Sequence, residues 1–96
     1  MQTEKSKLQK EVSKSNDAQA IIESPLFKDS IKKLKELYTN SLLKTGVNEE
    51  KTREKLWLAY QVVGKVEQHF IELVETGKLA SKQLEDFRKT EQQKKF

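Results

Sequence analysis

Cysteine does not occur among the 96 residues, so disulfides, thiolate metal sites and thiol nucleophiles are excluded. The same absence fits a cytosolic compartment. Proline occurs once and glycine three times. A β-sandwich or barrel, with turn residues every ~8–12 positions, cannot be built from so few. A single histidine, His69, rules out any site that needs two. No apolar run approaches the ~18 residues of a membrane span, and the opening MQTEKSKLQKEVSK lacks the apolar segment of a signal peptide. These absences predict an all-α, cytoplasmic chain with no membrane partner, no metal and no cofactor. No catalytic residues are indicated, and an enzyme is not expected.

What is present is charge, 35% of the residues, arranged in blocks around a net +4. Residues 1–24 are neutral, with four basic and four acidic side chains, and 25–48 carry +3, five against two. Residues 49–77 carry −2, four against six, and 78–96 carry +3, six against three. The stretch richest in apolar residues is therefore acidic, between two basic flanks. Such alternation suits contact between subunits or with nucleic acid.

Ser24-Pro25 is the clearest helix start, because serine caps orphan N–H groups and proline at the first position loses no hydrogen bond. Phe27, Ile31, Leu34, Tyr38 and Leu42 then recur at spacings of four, three, four and four, widened by Leu26, Leu37 and Leu43. This helix is expected to end near Lys44, with Gly46 as a left-handed cap. Asn48 is expected to cap the next, ahead of Glu49 and Glu50. Writing Leu56 as heptad position a places Leu56, Val63 and Phe70 at a, and Ala59, Val66 and Leu73 at d. The phase continues through Gly77 and Leu84 at a, Ala80 and Phe87 at d. One long helix over about 49–92, bent or straight at Gly77, is favoured over a break there. An internal glycine costs only ~1 kcal/mol.

The expected architecture is an antiparallel helical hairpin over 24–92, preceded by a flexible arm at 1–23 and followed by a basic tail at 93–96. In the arm only Leu8 and Val12 anchor a first turn, so a short helix ordering against a partner is expected. A hairpin covers one side of each helix. Trp57, Tyr60, Val62, Ile71 and Val74 extend the apolar surface beyond the seam, so self-association is expected, with Trp57, Tyr60, Val63, Val66 and Phe70 at the contacts. Gly64 suggests the close approach of another backbone, against simple tolerance of a mid-helix glycine.

Lys28, Lys32 and Lys35 form one stripe, with Lys33 at its side; Arg88, Lys89, Lys94 and Lys95 cluster near the C-terminus. Phosphate neutralisation is the chemistry such rows offer, with a solvated helix face as the alternative. Lys28, Lys32, Lys35, Arg88 and Lys89 are the candidate nucleic-acid contacts. Glu67, Glu72 and Glu75 have no second motif to make them an acid–base or metal site. His69 reads as interfacial.

The segment TREKLWLAYQVVGKVEQHFIELVETGKLASKQL at 52–84, with ESPLFKDSI at 23–31, resembles small helical proteins encoded in tailed-bacteriophage genomes. Among those the nearest functional analogue is the small terminase subunit. The resemblance implies a ring-forming, DNA-binding regulator of a large packaging subunit, acting on double-stranded DNA in the host cytoplasm. In small terminase subunits a helix-turn-helix commonly precedes the oligomerisation hairpin; residues 1–45 here supply one clear helix. A virion assembly factor or a small protein-binding inhibitor without nucleic-acid binding is the alternative.

Overall fold

Ser24 stands between two helices and starts the second. In a computed structural model of the protein, which describes residues 2–93, its backbone is extended and its side chain accepts a hydrogen bond from the Phe27 N–H at 3.4 Å. Pro25 occupies the first helical turn, as its fixed φ and missing donor favour. The described residues form three α-helices: α1 (Gln2–Glu23), α2 (Pro25–Leu43) and α3 (Glu50–Gln93). They divide into two units, residues 1–21 with 70–96 and residues 22–69, and α3 contributes to both.

The connection from α2 to α3 departs from the expected caps. Lys44 closes α2 in right-handed geometry, and no described residue, glycine included, has positive φ. Gly46 is therefore no left-handed cap. Its carbonyl instead accepts from the Glu49 N–H at 3.1 Å, and the Glu49 carbonyl accepts the first bond of α3 from Arg53, at 3.0 Å. That bond makes Glu49, one residue beyond Asn48, the residue that opens the helix. Arg53 reaches back from the first turn of α3 and donates to Thr45 Oγ1 and to the carbonyls of Gly46 and Val47. One guanidinium thus ties three acceptors of the connection, at residues 45–47, to the first turn of α3. Nothing in the periodicity of the sequence marks this role.

In the unit of residues 22–69, α2 lies against the first half of α3. Thr45 meets Arg53 beside the connection, and Lys35 meets Glu67 farther out, so the two segments run in opposite directions. Ile31 is buried, and Tyr38, Leu42, Leu56, Ala59 and Val63 are half-buried along the two helices. Val66, expected at a seam position, is 45% exposed, and Glu67 takes the inward place. A straight helix turns once per 3.6 residues and drifts ~20° per heptad from a 3.5 repeat. Past Val63 the inward residue accordingly shifts from position d to position e, and Glu67 replaces Val66 as the more buried of the pair.

The unit built from 1–21 and 70–96 corrects the expectation of an arm with one short helix. Residues 2–23 are one continuous helix, and its Leu8, Ser15 and Ala18 are buried together with Val74, Gly77 and Ala80 of α3. The Ser15 hydroxyl donates to the Val74 carbonyl at 3.2 Å, and Lys5 lies 3.7 Å from Glu91. Small residues on both sides of this seam let the backbones come close, which offsets the scarcity of large apolar side chains. α1 orders against its own chain. Lys94, Lys95 and Phe96, the core of the expected tail, lie outside the described residues.

The two mid-helix glycines exchange the roles read from the sequence. α3 runs unbroken through Gly77, which excludes the helix break there. A Cβ added at Gly77 would collide with Ser15 Cβ and Oγ and sit 3.1 Å from the Glu11 carbonyl oxygen. Close approach of another backbone occurs here and not at Gly64, where an added Cβ meets nothing within 4 Å. Gly64→Ala is accordingly expected to stabilise the fold by ~1 kcal/mol, the propensity gain alone. A thermal melt at low protein concentration checks it. An unchanged or lower midpoint would mean that something outside the single chain requires the glycine.

Candidate interaction surfaces

The seam of the 22–69 unit defines two flanks. In an antiparallel helix pair, residues one position before the seam on either helix turn to the same side, and residues one position after it turn to the other, because each step rotates by 100°. Leu34 precedes Lys35, Leu37 precedes Tyr38, and Leu58, Val62 and Val66 precede Ala59, Val63 and Glu67. These five apolar residues therefore share the first flank, and they are 38% to 57% exposed. Trp57, Tyr60 and Gly64 follow Leu56, Ala59 and Val63, and Lys28 and Lys32 follow Phe27 and Ile31. These form the second flank, on which Trp57 is 55% exposed.

The expected interface residues are thus distributed over three environments. Trp57 and Tyr60 are exposed on the second flank and Val66 on the first. Val63 and Phe70 are half-buried within the chain, each in its own unit. Sequence reasoning named Leu34, Leu37 and Val62 as helix stripe or added surface, and Leu58 not at all. The pattern that would have found them is the residue preceding each seam position on both helices. Burial is thin on both sides of α3. No large side chain among the described residues is fully buried, and twelve large hydrophobic residues remain exposed.

The candidate phosphate contacts differ in how free their charges are. Lys28 and Lys32 are exposed and have no ion pair among the described residues. Lys35 lies 2.8 Å from Glu67 Oε1, across the seam. The hydrogen bond from Lys35 to Glu67 holds its ammonium above the ordinary value of 10.5, helped by the charge of Glu67 and by Tyr60 against the opposing effect of desolvation. The contribution of this raised group to stability is full below pH 10.5 and is lost as pH climbs through the raised value. Lys33 pairs with Asp29 at 3.0 Å, and Lys89 lies 3.8 Å from Glu85. Arg88, in the other unit, borders an open depression of about 490 Å³ shared with Glu85 and Glu91. Carboxylates therefore dilute the C-terminal basic cluster.

Among the described residues no group of three or more histidine, aspartate or glutamate side chains is placed to hold a metal ion. No described helix is long and apolar enough to cross a membrane. Comparison with protein-family models, curated proteins and solved structures finds no match to this chain.

Proposed function

We propose that the chain is a non-enzymatic helical interaction module, a helical hairpin that self-associates through the second flank. The observation that carries this reading is the exposure of Trp57 and Tyr60 side by side on a helix whose other side already packs against α2. Aromatic residues are favoured interface anchors because they cover large area at little entropic cost. The charges on this flank are also complementary to themselves. Lys28 and Lys32 lie at the end away from the α2–α3 connection, and Glu50 and Glu54 lie near it. A two-fold antiparallel contact would lay the basic end of one copy over the acidic end of the other. Replacing Trp57 and Tyr60 together by serine is expected to lower the native mass towards that of one chain, read by sedimentation velocity, with helicity retained. Undiminished mass in the double variant would remove these residues from the contact.

A second reading, a DNA-packaging component resembling small terminase subunits, draws on the free charges of Lys28 and Lys32. With Lys35 engaged by Glu67, two stripe phosphate contacts per chain are expected. Lys28→Gln with Lys32→Gln should then weaken binding equally across DNA sequences and flatten the salt slope by roughly two units, about 0.9 per lost contact. Absence of a low-salt shift of duplex DNA by the unmodified protein would end this reading and favour an assembly factor or inhibitor that binds protein alone.

A further inference from the structure

The first flank of the 22–69 unit has a charge pattern unlike the second. Leu34 and Leu37 on α2 and Leu58, Val62 and Val66 on α3 form two adjacent apolar rows, with Ser30 and Ser41 at the two ends of the α2 row. The helix positions that extend these rows are basic. Lys51 and Lys65 lie one heptad before and after Leu58, Lys55 lies one heptad before Val62, and Lys44 lies one heptad after Leu37. Lys33 borders Leu34, and His69 continues the α3 row. Glu36 borders Leu37 as Lys33 borders Leu34, while the extending positions on α3 carry no carboxylate. Asp29 pairs with Lys33; Lys44, Lys51, Lys55 and Lys65 have no ion pair among the described residues.

We propose that this face docks an acidic amphipathic helix of another protein, its apolar stripe lying between the Leu34–Leu37 and Leu58–Val62–Val66 rows and its carboxylates meeting the surrounding lysines. Two antiparallel helices present a groove between their side-chain ridges, and a third helix is the element whose ridges fill it. A second copy of this chain is disfavoured as the occupant, because a symmetric contact would oppose lysines to lysines. Duplex DNA is disfavoured because the middle of the face offers no donors. A bilayer surface gains most from aromatic residues at the headgroup level, and Trp57 and Tyr60 lie on the other flank. The proposal rests on the interaction-module reading but uses a different surface from self-association.

The test titrates full-length protein into fluorescent three-heptad peptides with leucine at a and d, one carrying glutamate and its twin carrying lysine at e and g. Fluorescence anisotropy reports binding, and sedimentation reports mass in the same samples. The acidic peptide is expected to bind at least about tenfold tighter than the basic twin, a difference that shrinks at high salt. Leu37→Ser with Val62→Ser should weaken the acidic peptide at least about tenfold and leave the native mass unchanged. Lys55→Glu with Lys65→Glu, which leaves the apolar rows intact, should reverse the peptide preference. Equal binding of both peptides, or none, overturns the proposal. A fall in native mass in the Leu37 and Val62 variant overturns it in favour of a second copy. Vesicles of phosphatidylserine and phosphatidylcholine that bind the protein and lose it in that same variant overturn it in favour of a membrane surface. A monomeric protein that still prefers the acidic peptide would refute self-association and leave this proposal standing.

Discussion

Gly77→Ala is expected to destabilise the protein by about 2–4 kcal/mol, although alanine is the better helix former by ~1 kcal/mol. Gly77 is helical and has no positive φ, so backbone conformation alone would welcome the change. The obstacle is α1. The new methyl would occupy the space of Ser15 Cβ, an atom fixed to its own backbone, so no rotamer change relieves the clash. The helices must separate, and the buried bond from Ser15 to the Val74 carbonyl lengthens with them. Ser15→Gly in the same chain should restore part of the loss, and a double-mutant cycle measures the coupling. A raised melting midpoint in Gly77→Ala would mean that α1 does not pack there.

Leu8→Ala is the second large effect, expected to cost about 2–3 kcal/mol from the lost transfer energy and the space left behind. Leu8 is the only leucine among the five hydrophobic residues that are buried within the described part of the chain. α1 has little else to dock it, since Ser15 and Ala18 fit the seam by being small. The substitution should therefore release much of α1, seen as lost helicity in far-ultraviolet circular dichroism and as new proteolytic cleavage before Glu23. A change below about 0.5 kcal/mol, the usual effect at an exposed site, would return residues 1–23 to the status of an arm.

The long helix was legible because its signal is redundant. Leu56, Val63, Phe70, Gly77 and Leu84 keep one phase, and a single glycine cannot outweigh it. Ser24-Pro25 was legible for a local reason, since the cap needs only residues close in sequence. α1 was hidden because its inward row, Leu8, Val12, Ser15, Ala18, contains small residues that hydropathy does not register as a core. Its period of four and three was present, and the partner that makes small residues valuable, Gly77 with Ala80, lies some sixty positions away. Val66 was misassigned because a rigid 3.5 repeat was imposed on a helix that drifts from it. The lysine-bordered face was missed for another reason. Leu34, Leu37, Leu58, Val62 and Val66 become one surface only after the Lys35–Glu67 register joins two helices.

The central claim is that the single chain leaves apolar surface for association, and sedimentation equilibrium of the unmodified protein at micromolar concentration tests it most directly. Thin burial and exposed Trp57 and Tyr60 predict a native mass of at least two chains, falling towards one on dilution. A folded species that stays at 11.2 kDa across the micromolar range would contradict it.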